Sequence, residues 1–120
     1  MKNVDPFVQS LLVVADDKKA DNSCLYKLKD PFIADYVLIV GAKNTVHCKS
    51  IAADFDKAIS DRLPIATEDE GLDHPKITGS SDSGWQVIDA GAIVIHVMTE
   101  TVRAHYAIDS LFEVRSDKKS

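Results

Sequence analysis

Residues 84–112 read GWQVIDAGAIVIHVMTETVRAHYAIDSLF. Residues 85–90 and 93–99 read as two strands. The link around Gly91 is short enough for a hairpin. Residues 100–112 then follow a helical repeat, with Thr99 as a candidate cap. In the first run Trp85, Val87 and Asp89 share one strand face, and Gln86, Ile88 and Ala90 share the other. In the second, His96 stands between Ile95 and Val97 and shares its face with Val94 and Met98. At about 100° per residue, Ala104, Ala107, Ile108 and Leu111 form a helical core stripe. Tyr106 falls about 150° from that stripe, with Val102 and Arg103 near it.

Working outward, residues 36–40 (YVLIV) are apolar throughout and end at Gly41, the pattern of a strand buried on both faces. Residues 24–28 (CLYKL) alternate Cys24, Tyr26 and Leu28 against Leu25 and Lys27, as in an outer or half-exposed strand. Asp5-Pro6 starts a first amphipathic helix, with Val4, Phe7, Val8, Leu11, Leu12 and Ala15 at helical spacing and Lys18 and Lys19 at its end. A second helix begins at Asn44 or Thr45, with a core stripe of Cys48, Ile51, Ala52, Phe55, Ala58 and Ile59. Residues 62–83 read as a loop-rich, acidic connection with one short strand at 63–67. The expected fold class is α/β, a mixed sheet layered with helices. Residues 1–114 form one domain, and 115–120 a polar tail that frays.

The chain has 120 residues, two cysteines and a net charge of −5. That length buries a core without disulfide staples. Cys24 and Cys48 read as half-buried free thiols of a reduced compartment. The start of the chain shows no signal peptide, and no apolar run approaches the roughly 18 residues of a membrane span. The acidic balance argues against a broad phosphate-binding surface, hence against direct nucleic-acid readout, and suits a basic protein partner.

Catalytic signatures are missing. Gly41-Ala42-Lys43 and Gly79-Ser80 do not extend to a dinucleotide or phosphate-loop pattern. Asp82 and Asp89 make no metal-binding acid pair, and the acidic run 68–70 reads as a solvated loop. His47, His74, His96 and His105 are scattered without metal spacing. No serine sits on a nucleophile elbow. Neither metal nor cofactor is expected. His96, on an apolar strand, reads as a hydrogen-bonded core or edge residue. Trp85 is either a core anchor or an exposed platform. Composition favours the core, whereas Asp89 in phase with it favours a contact face. Tyr106 beside Val102 and Arg103 suits an interface, against the alternative that it covers a neighbouring loop or the first helix.

The runs ADYVLIVGAKNTVHCKSIA and GWQVIDAGAIVIHVMTETVRAHYAIDSLF resemble the ribosomal silencing factor family, RsfS or Iojap. The matching positions are Asp35, Tyr36, Gly41, His47, Ile51, Ala52, Trp85, Asp89, Gly91, His96, Met98, Glu100, Arg103 and Tyr106. The chain departs from the pattern at Val46, Thr78, Ala92 and Phe112, where the family has Arg, Glu, Asp and Trp. The loop before Trp85 is also longer than usual. The resemblance implies a nucleotidyltransferase-like sheet without catalytic acids. It implies a non-enzymatic protein, cytoplasmic in bacteria or else organellar, that binds large-subunit ribosomal protein fourteen, blocks joining of the small subunit and represses translation; the cytoplasm is the expected location here. By the same resemblance, Trp85 and Tyr106 face the ribosome, with Asp89, His96 and Arg103 near them. The alternatives are a nucleotidyltransferase-like enzyme or nucleotide binder, and a homodimer through the Tyr106 face.

Overall fold

The structure, a computed structural model, describes residues 6–28, 34–66, 71–80, 82–109 and 116–119. Helix α1 spans Pro6–Asp17, strand β1 Asp21–Leu28, strand β2 Tyr36–Ala42 and helix α2 Thr45–Arg62. Strands β3 (Leu72–Thr78), β4 (Trp85–Gly91) and β5 (Ile93–Thr99) follow, then helix α3 (Glu100–Tyr106) and strand β6 (Ser116–Lys119). The strands form one mixed sheet in the order β3-β4-β5-β2-β1-β6. Among the described strands only β2 and β5 run parallel; the other neighbours are antiparallel.

Residue type explains the centre of the sheet. Every residue of β2 is buried, as its unbroken apolar run requires. Leu38, Val40, Ile88, Ala90, Ile95 and Val97 face α1 and α2 and pack with Leu11, Ile51, Phe55 and Ile59. A fully buried side chain of this kind contributes about 1.5–3 kcal/mol. The opposite face gathers Tyr26, Leu28, Val37, Ile39 and Met98, with Trp85, Val102 and Ile108 partly buried against them. The Asn44 side chain caps α2 by accepting from the His47 N–H at 2.8 Å, and the stripe from Cys48 to Ile59 is inward as its spacing predicts. His47 in turn joins the helices: Nδ1 accepts from the Lys43 N–H at 2.9 Å, and Nε2 lies 2.7 Å from the Lys18 carbonyl.

Four expectations change. Residues 63–65 form a 3₁₀ turn with Pro64 at its start, not a strand; Thr67 lies outside the described residues. The strand of that connection is β3, on the open edge of the sheet. Pro75 is tolerated there because an edge strand can lack a donor, and it blunts pairing with another chain. The third helix stops at Tyr106 because Ala107 turns left-handed, with φ 51. Ala104 and Ala107 are therefore exposed instead of forming a core stripe, while Ile108 is half-buried; Leu111 and Phe112 lie outside the described residues. Residues 116–119 of the polar tail pair with β1 instead of fraying, so of the two alternatives for β1 the outer strand is set aside and the half-exposed strand holds. The proposed cap Asp5 and the acidic run 68–70 also lie outside the described residues.

Candidate partner-binding face

The hairpin β4–β5 and helix α3 build one surface. Gly84 has φ 75, and a Cβ there would sit 3.0 Å from Thr99 Oγ1 and 3.3 Å from Val102 Cγ2. A glycine is thus needed twice over, for its dihedral and for the close passage beneath the first turn of α3. The Gly84 carbonyl accepts from the Thr99 N–H at 2.8 Å. This join delivers Trp85 directly under the helix. On β4 the period-2 pattern holds: Gln86, Ile88 and Ala90 are buried, and Trp85, Val87 and Asp89 point to the other face.

Trp85 resolves into both alternatives at once. One side packs on the buried cluster of Tyr26, Ile39 and Met98, and the other supports Tyr106, whose ring lies 4.9 Å away at 47°. Tyr106 itself is 56 % exposed. His105 meets Tyr106 edge-on, with ring centroids 4.8 Å apart. Beside the pair lies a groove of about 350 Å³, walled by Trp85, Tyr106, Val87 and Val102 on one side and by Thr78 and Ser83 on the other.

His96 lies beneath this pair. Trp85 Nε1 donates to His96 Nδ1 at 3.1 Å. That nitrogen must be unprotonated to accept, so the neutral imidazole carries its proton on Nε2. Burial pushes the His96 pKa down to about 4, against a smaller opposing pull from the Asp109 carboxylate. His96 therefore stays neutral at pH 7 and holds the indole as an acceptor.

Asp89 shares the face but is exposed, about 13 Å along the strand from Trp85. Its Oδ1 accepts from the Gly91 N–H at 3.2 Å, and it stands opposite Lys76 of β3. Arg103 is not a free contact residue. Its Nε and Nη2 donate to Asp109 Oδ1 and Oδ2 at 2.9 and 2.7 Å, and its Nη1 donates to the Asn22 carbonyl at 2.9 Å. The structure thus gathers Trp85, His96 and Tyr106, places Asp89 farther down the same face, and turns Arg103 inward. The residues missed from sequence are Asp109, Tyr26 and the groove wall of Thr78, Gly79, Ser80 and Ser83. Arg103 and Asp109 are six positions apart, a spacing that hides the pair until the break at Ala107 is seen.

Among the described residues no three His, Cys, Asp or Glu side chains are grouped to hold a metal ion. Cys24 is half-buried and Cys48 buried, both as free thiols. The Cys48 Sγ donates to the Val97 carbonyl at 3.2 Å, and burial pushes its pKa up. No described helix is long and apolar enough to cross a membrane.

The family described as ribosomal silencing factor during starvation matches residues 2–120. The chain belongs to this family. Ribosomal silencing factor RsfS of Halalkalibacterium halodurans is 28% identical over 109 residues, covering 87% of this chain and 86% of that protein. The protein Iojap-related, mitochondrial, of Arabidopsis thaliana is 30% identical over 115 residues, covering 92% of this chain and 57% of that one. A crystal structure of a protein from Bacillus halodurans has the same fold, with a TM-score of 0.66 and 25% identity over 87% of this chain and 90% of that one. RsfS proteins are non-enzymatic ribosome-binding regulators of translation, which sets aside the nucleotidyltransferase-like enzyme.

Proposed function

We propose that this RsfS chain seats its Trp85–Tyr106 face on protein fourteen of the large ribosomal subunit, and that its bulk there blocks the small subunit. Translation in the cytoplasm is thereby repressed. The observation that carries this reading is the exposed Tyr106, held on Trp85 beside an apolar-walled groove. Tyr and Trp are the residue types that dominate binding energy at protein interfaces, most of all when a rigid scaffold holds them. Charge supports a basic partner: the chain carries −5, and Asp82, Asp89 and Glu100 are exposed on and beside this face. His96 and Arg103 act from beneath the surface, through Trp85 and α3.

Trp85 is the only tryptophan of the chain, so its emission reports on this face. Titration with isolated protein fourteen, itself free of tryptophan or substituted to be so, should shift the emission to saturation. Tyr106→Ala should weaken binding by about 2 kcal/mol, or about thirty-fold. No saturable shift, or equal affinity for Tyr106→Ala, would remove this face from the interaction.

A further inference from the structure

We infer that Asp109 is the positioning residue of this face: across the left-handed turn at Ala107 it locks Arg103 and Tyr26, and so fixes the helix that holds Tyr106 on Trp85.

Helix α3 needs such a lock. It has seven residues, none of them buried, while isolated helices below roughly 12–15 residues are marginal in water. At its start Thr99 Oγ1 accepts from the Val102 N–H at 3.4 Å. Farther along, the bidentate pair of Arg103 with Asp109 is charge-assisted, and the side chains are only 12 % and 28 % exposed. Asp109 Oδ2 also accepts from the Tyr26 hydroxyl at 3.2 Å, and Tyr26 is buried in β1 at 1 % exposure. Asn22, left-handed at φ 50, offers its carbonyl to Arg103. The Arg103–Asp109 pair therefore ties α3 to two points of β1, to Tyr26 through the carboxylate and to Asn22 through the guanidinium. The hydrogen bonds from Arg103 hold the Asp109 carboxyl below the usual carboxylate range.

The break at Ala107 makes this possible. In an unbroken helix, residues six apart lie about 9 Å along the axis and about 120° around it, out of reach of a two-bond pair. With Ala107 left-handed and its N–H donating to the Arg103 carbonyl at 2.9 Å, the chain turns Asp109 back onto Arg103. Arg103 and Tyr106 are three residues apart on one side of the helix, so a change at the lock is transmitted to the Tyr106 ring.

This inference rests on the proposed docking role only in its binding arm, and two readouts keep the two apart. In the free protein, Asp109→Asn should raise acrylamide quenching of Trp85 about two-fold, because Tyr106 no longer shields the indole. Asp109→Glu, which keeps the carboxylate, should restore at least half of the shielding. Tyr26→Phe, which removes the hydroxyl and with it the hydrogen bond to Asp109 but leaves the Arg103–Asp109 pair, should give a smaller change in the same direction and serves if Asp109→Asn does not fold. In binding to large subunits, Asp109→Asn should lose about ten-fold and add little to Tyr106→Ala in the double variant, as coupled residues do. Unchanged quenching in both Asp109→Asn and Tyr26→Phe, or full additivity with Tyr106→Ala, would overturn the lock. If Tyr106→Ala binds subunits normally, the docking reading fails, and the quenching alone decides the positioning role.

Discussion

Trp85 donates its indole N–H to an imidazole that burial keeps neutral, and this couples the face to acid. The folded pKa of His96, about 4, lies below its ordinary value of 6.5. The unfolded chain therefore binds the proton first as pH falls. Stability from this residue is complete above pH 6.5 and declines between 6.5 and about 4, at up to about 1.4 kcal/mol per pH unit. Urea unfolding at pH 6.5 and 5.0 should show that decline, and His96→Gln should flatten it. An equal slope in the variant would mean that other groups carry the acid sensitivity. Ala107 offers a second test. A non-glycine residue in the left-handed region costs about 1–2 kcal/mol, and glycine there removes the cost while adding freedom to the unfolded chain. Ala107→Gly should stabilise the protein by about 0.5–1 kcal/mol in urea unfolding. A net loss would show that the turn is not strained.

Among the elements, legibility in the sequence tracks how much core each one buries. The run 36–40 is apolar without interruption, and β2 is buried throughout. The stripe from Cys48 to Ile59 appears unchanged on α2. Period 2 placed Trp85 and Asp89 on one face and Ile88 on the other because β4 has a buried side to enforce its register. Strand β3 was illegible for the opposite reason: it lies at the edge, buries no residue fully and contains Pro75. The end of α3 was hidden because Ala107, Ile108 and Leu111 fit the wheel, and the stop is an alanine where glycine is the usual signal. Extending that helix also concealed the Arg103–Asp109 pair. Tyr106 came out exposed as the wheel required, since it lies before the break.

The whole molecule divides its labour between the two faces of one sheet. Helices α1 and α2 cover one face with the larger core. The other is covered over its middle by the short α3, which leaves the β3–β4 side open as the groove beside Trp85. The described residues on that side carry an aromatic pair held by the partly buried His96 and by the Arg103–Asp109 ion pair. The chain belongs to a family of ribosome-binding regulators. The most direct measurement is a sucrose gradient of purified ribosomal subunits mixed with the chain at joining conditions. Saturating wild-type protein should move the population from joined ribosomes to free subunits and co-sediment with the large one. Tyr106→Ala, folded by circular dichroism, should need about thirty-fold more protein for the same shift. Joined ribosomes that persist at saturating wild-type protein, or a Tyr106→Ala variant as effective as wild type, would contradict the account.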